Sequence, residues 1–239
     1  MQQSNNKAGV FFAGLCVFLG LSALGYLLGN AALQIKSYER SVTVKGLSEQ
    51  EYPADVVIWP IQFSVASNQL GDLYAALEKQ SGEIREFVLS NGVEESEITQ
   101  GAPAITDKSA QQYGGSARAE FRYTATQAVT VYSEKIPEIR QLMSKLSQLG
   151  KRGIVLEGGY QAQAEYLFTR LNDVKPAMIE DATTKAREVA QKFARDSESQ
   201  LGKIKRASQG QFSIRDRDRN NPHIKMVRVV STVEYYLSD

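Results

Sequence analysis

From residue 8 to residue 35 the chain carries no charged side chain, and the apolar run within it, from Val10 to Leu33, is unbroken by any strongly polar residue except Ser22 and Asn30. At 1.5 Å per residue this run makes roughly 36 Å of helix, enough to cross a bilayer with some tilt. Residues 10–33 are therefore expected in a membrane, with 1–36 as an N-terminal anchor and 37–239 as the soluble domain. A cleaved signal peptide is the competing reading, because Lys7 precedes the run and the small residues Gly29 and Ala31 mimic a cleavage site. Length favours the anchor, since signal cores usually hold about 7–15 apolar residues. Lys7 on one side is balanced by Lys36 and Arg40 on the other, so charge alone does not assign the side of the membrane.

Beyond residue 40 the hydrophobic period changes between two and about 3.6. Residues 41–46 alternate as a strand, and Val57, Trp59, Ile61, Phe63 and Val65 put one face of a second strand, 55–66, into a core. Pro60 inside that run argues for a sheet edge or a bulge, because it cannot donate a ladder hydrogen bond. Leu70, Leu73, Tyr74, Leu77, Ile84, Phe87 and Val88 then fall at helical spacing, with Asn91-Gly92 as the stop. Strands are expected at 98–106 and 119–132, joined by a polar hairpin loop at 107–116. A shorter helix follows over Ile136, Ile139, Leu142, Met143, Leu146 and Leu149, ending at Gly150. Residues 154–167 alternate like a strand with one wet face, from Gln161 to Glu165.

The longest helix is expected to begin near Pro176, suited to a first turn, and to run to about Leu201 before Gly202. Ala182, Ala186, Ala190 and Ala194 recur every fourth residue in it, a narrow apolar stripe that lets another backbone approach closely, in a sheet or in an oligomer. Strands at 204–214 and 225–237 flank a turn at 215–222. Strand-helix-strand-strand thus occurs twice, over 54–132 and 154–236, so duplicated units are one reading of the architecture. The fold class is α+β, with antiparallel-dominated sheets and helices on one face, preceded by one N-terminal transmembrane helix.

Composition narrows the chemistry. Lys and Arg number 28 against 27 Asp and Glu, a net charge of +1 without clustering, so no field draws in a polyanion and no nucleic acid is expected. One Cys and one His exclude an intrachain disulfide and leave too few ligands for a typical zinc site. Cys16, mid-run behind bulky Leu15, does not fit a lipoprotein signal and reads as a plain thiol.

The strand at 41–46, then Ala54-Asp55 leading into 56–65, resembles the opening of the SIMPL domain family, the YggE-like bacterial envelope proteins. The Ala-rich stretch 182–190, then Leu201-Gly202-Lys203-Ile204 and the terminal 227–236, is similar to that family's Ala-rich helix, glycine, following strand and last strand. The likeness covers roughly 41–239. Many members have Pro and Asp adjacent at the first motif, whereas Ala54 here separates Pro53 from Asp55. The resemblance implies an envelope protein with its domain outside the cytoplasmic membrane, facing the periplasm, a tendency to self-associate, a link to stress tolerance, and no catalytic residues to carry over.

Each chemical candidate has a plainer competitor. Asp55, at a strand start, is either a ligand-binding carboxylate or a bond to nearby backbone groups, the second being favoured. Glu94, Glu95 and Glu97 follow a helix end without calcium-loop spacing and read as a solvated corner. Gly114-Gly115 and Gly158-Gly159 lack the pattern of a phosphate loop and read as a loop and a bulge. Arg215-Asp216-Arg217-Asp218-Arg219 alternates in sign and suits a soluble hairpin better than a lipid or peptidoglycan contact. His223 reads as a surface residue rather than a pH sensor, and Trp59 as a core or interface anchor rather than a ligand-stacking ring. Gly25 and Gly29 lie one turn apart and offer a face on which anchors pair. The expectation is a noncatalytic, self-assembling homo-oligomer without cofactor or metal; the alternative is a small-molecule or peptide-binding module.

Overall fold

The computed structural model describes residues 5–37, 40–110, 120–159 and 162–238. Residues 111–116 of the expected hairpin loop, including Gly114-Gly115, the first residue of the strand expected at 119–132, and Gln161 of the expected wet face lie outside the described residues. Helix α1, Asn5–Ser37, is a single helix whose Gly9–Ala31 portion, 23 residues, is long and apolar enough to cross a membrane. It is an N-terminal anchor or signal sequence by length and composition. Neither hydrophobic core described below draws a residue from it.

The chain divides into two compact units, one of residues 50–174 and 213–227, the other of residues up to 49, 175–212 and 228–239. Strand β1, Ser41–Pro53, and the last strand, Ile224–Ser238, each contribute to both.

In the first unit, β2 (Val56–Ser67) is the middle of an antiparallel sheet. Helix α2 (Leu70–Ser90) follows it, ending at Asn91 and at Gly92, whose φ of +94° a glycine adopts without strain. Strands β3 (Ile98–Gln100) and β4 (Ala104–Asp107) both pair with β5 (Tyr123–Ser133), which pairs with β2 over its whole length. Helices α3 (Ile136–Met143) and α4 (Ser147–Lys151) come next, then β6 (Val155–Leu156) and β7 (Glu165–Leu167) on the other flank of β2. The inward row Val57, Trp59, Ile61, Phe63 and Val65 meets Leu73, Leu77, Ile84, Phe87 and Val88 of α2 and Ile136, Ile139 and Leu142 of α3 in one core.

The strand expected at 154–167 is two short strands, and the reason is Pro60. Gln62 accepts a hydrogen bond from Glu157 N–H at 2.9 Å, so Pro60, two residues along, turns its nitrogen toward the same flank. It has no hydrogen to give there. Opposite Pro60 the chain leaves the ladder after Glu157 and rejoins it at Glu165, with the register moved on by four residues. Pro60 therefore lies on a central strand facing a break, not on a sheet edge. The strand expected at 98–106 is likewise two, because Pro103 follows Gly101-Ala102 between them.

In the second unit, helix α5 (Leu171–Asp196) covers a sheet ordered β1, β10, β8, where β8 is Gln200–Gln209 and β10 is Ile224–Ser238. Strand β9, Ser213–Asp216, pairs with the start of β10 and belongs to the first unit. The duplicated order is present with one correction. The strand that precedes α5 in sequence lies in the other sheet, and β1 takes its position: β8-β10-β1 follows the same order as β3-β5-β2. Helix α5 begins five residues before Pro176, which sits in the helix interior, and it ends at Asp196 rather than near Leu201. The left-handed position that closes it is Glu198, φ +53°, with Ser199 N–H donating to Ala194 C=O at 2.8 Å. Gly202 is already inside β8.

The alanine stripe lies on the sheet. Ala186 and Ala190 share a core with Val44, Val233 and Tyr235, and all four stripe alanines are buried. A β-carbon added to Gly46 of β1 would stand 1.8 Å from the Ala182 carbonyl oxygen and 2.6 Å from the Ala186 nitrogen, so helix and strand touch backbone to backbone.

Candidate functional site

Every chemical candidate outside α1 falls in the first unit, and most already have an internal partner. Asp55 accepts the N–H of Thr169 at 2.9 Å and of Arg170 at 3.1 Å, with the Arg170 guanidinium at 3.3 Å. These donors stand just ahead of α5, where a carboxylate suits the positive end of the helix dipole. That seat is why the helix starts at Leu171. Burial opposes the Asp55 charge, and the two N–H bonds outweigh it, holding the carboxyl below the usual aspartate value of 3.8. A carboxyl with a lowered native pKa contributes stability above the unfolded value, about 3.9, and loses it as pH falls through the native value. Asp55→Ala is accordingly expected to lower stability by about 1–2 kcal/mol at pH 7, as loss of a cap does, and by less below pH 3. Urea unfolding at the two pH values measures both.

The acidic corner is neutralised locally. Lys135 reaches Glu94 and Glu97, Arg85 pairs with Glu95, and Glu94 and Glu97 close a capping box on a single 3-10 turn. Among the described residues no cluster of His, Cys, Asp and Glu could hold a metal ion. In the charged hairpin, Asp218 accepts from the N–H of Asn220 and Asn221 at 2.9 Å, and Arg217 bridges Asp218 and Glu51. The hairpin charges that point inward thus build the turn.

The structure does bring together one group that no motif announces. A cleft of about 400 Å³ is lined by Gln163, Glu165 and Tyr166 from around β7 and by Asp216, Pro222 and Lys225 from β9, the turn and β10. Lys225 is buried and bonds Asp216. Beside it, the Tyr166 ring meets His223 edge-on at 6.0 Å, and Tyr166 O–H points to Met143 Sδ at 3.8 Å. Arg140 donates to His223 Nε2 at 3.1 Å, which leaves the imidazole proton on Nδ1. Burial, then Arg140 and Arg217, lowers the His223 pKa, while burial raises that of Tyr166. His223 is partly buried, and the two guanidinium groups beside it disfavour its charged form. Its carbonyl also accepts the N–H of Ala54 at 2.8 Å, tying the turn to the residue beside Asp55.

Lys225 was visible in principle. It occupies the first of the inward alternating positions of β10, followed by Val227, Val229, Ser231, Val233 and Tyr235, and a lysine in such a row signals a buried pair. Arg140 and Tyr166 give no such signal, because nothing in their own segments points toward residue 223. Trp59 is 3% exposed within the core, as expected. Cys16, Gly25 and Gly29 lie on α1, and no atom outside the helix comes within 4 Å of a β-carbon built on either glycine.

These features define an α+β protein of two antiparallel sheets with helices, preceded in the sequence by one apolar N-terminal helix. The chain belongs to the SIMPL family, described as a protein of unknown function (DUF541), whose model matches residues 42–233. No curated protein matches it.

Proposed function

We propose that the protein is a noncatalytic SIMPL-domain protein of the bacterial envelope, anchored by α1 in the cytoplasmic membrane, with its folded part facing the periplasm and assembling with further copies. A role in stress tolerance goes with that placement. The observation that carries the reading is α1 itself: its apolar surface, including Phe11, Phe12, Phe18 and Leu21, is left exposed. Such a surface needs lipid to cover it. The noncatalytic part draws on two proton-carrying groups at or beside the cleft that are engaged internally, Lys225 with Asp216 and His223 with Arg140. General acid-base work needs a group free to exchange its proton with a substrate.

Because neither core uses α1, the fragment 37–239 retains all the contacts that hold both. Sedimentation velocity of that fragment over a hundredfold concentration range is expected to show species larger than the monomer. A monomer at every concentration would end the assembly reading. The cleft supports a second reading, a small-molecule module, which predicts a melting temperature that rises with ligand concentration.

A further inference from the structure

The sheet of the first unit has an outer face opposite its core, and its two middle strands, β2 and β5, place no charge on that face. Register places Ile58, Pro60, Gln62, Ser64 and Ala66 of β2 beside the outward residues of β5, Tyr132 back to Thr124. These ten positions hold only Ile, Pro, Gln, Ser, Ala, Thr and Tyr. The flanking strands continue the pattern with Thr99, Ala104, Thr106 and Val155, and the two charges, Glu157 opposite Gln62 and Glu165 opposite Ile58, both stand on the β6–β7 flank. Charged residues make up 23% of the chain, and a face left to water ordinarily carries its share of them. Two large side chains are well exposed on this face, Tyr132 at 50% and Val155 at 61%.

We propose that this face packs sheet on sheet against the same face of a second copy. The inference rests on the assembly reading and names the surface that assembly uses. Around a two-fold axis groups on the axis meet their own twins and every other group meets the residue across the axis, so a patch whose middle strands carry no charge brings no like charges together there wherever the axis falls. Threonine, serine and alanine suit the contact further, being short enough for two sheets to close to about 10 Å. The size is adequate: nine residues of β2 at about 3.4 Å each and four strands at about 4.8 Å give roughly 600 Å² per copy. Two copies together reach about 1,200 Å², above the threshold of about 1,000 Å² for a specific contact.

The test uses the fragment 37–239, which contains no cysteine because the only one in the chain is Cys16. Thr126→Lys with Thr130→Lys places two ammonium groups in the middle of the face, and self-association measured by sedimentation is expected to weaken at least tenfold. Tyr74→Lys, on the exposed side of α2, is expected to leave it unchanged. Should the double variant not fold, Ala128→Cys decides: oxidation is expected to give a disulfide-linked dimer at micromolar protein, and Tyr74→Cys is not. If the wild-type fragment assembles while the lysine pair has no effect and Ala128→Cys does not cross-link, the assembly stands and this face is the wrong surface. A wild-type fragment that is monomeric throughout overturns both.

Discussion

Gly46→Ala is expected to destabilise the fragment 37–239 by about 3 kcal/mol, the upper end of what over-packing costs. The added methyl would fall within bonding distance of the Ala182 carbonyl and close to the Ala186 nitrogen, and both are helix backbone that cannot rotate away. Relief requires α5 to lift from β1, which uncovers the buried stripe from Ala182 to Ala194 along with Val44 and Val233. Gly71→Ala is the control. Gly71 lies in the first turn of α2 with nothing within 4 Å of an added β-carbon, so the same chemical change there should stabilise by about 0.5–1 kcal/mol. Urea denaturation of the two variants side by side measures the difference; equal stabilities would mean that α5 does not lie backbone to backbone on β1.

Trp59→Ala should cost about 3–5 kcal/mol, the range for removing a large aromatic from a packed core. Trp59 occupies the second of the five inward positions of β2, the strand on which β5, β6 and β7 all pair. As the only Trp, it also reports on itself: its native fluorescence should be blue-shifted and move red in a single transition on unfolding. A variant as stable as the parent would place Trp59 at a surface instead, where a ligand-stacking role would have to be reconsidered.

What could be read from the sequence follows how local each interaction is. The inward row of β2 and the helical spacing of α2 were legible because the period of a single segment encodes which face is buried. The alanine stripe announced a close approach, and its partner, Gly46, was in plain view in β1, yet nothing local to either segment joins residue 46 to residue 182. The breaks were harder. Pro60 signalled an interruption, but whether it lay on an edge or in a central strand depended on β6 and β7, which arrive almost a hundred residues later. Gly202 was the obvious stop for α5, and the helix stops earlier because Glu198 takes the left-handed position itself. The cleft was the least legible part. Its groups are short-range neighbours only after the turn at 217–223 is folded beside β7, and long-range pairing of that kind leaves no periodic trace.

The anchor is the claim on which location and assembly in one plane both depend. Carbonate extraction of membranes from cells making the full-length chain, with the N-terminal sequence of the recovered protein determined, tests it most directly. The chain should stay in the membrane pellet with residues 10–33 intact, as about 20 apolar residues in a bilayer require. Release into the carbonate supernatant, or a mature N-terminus near Ala32, would show that α1 is a signal sequence and that the domain works untethered.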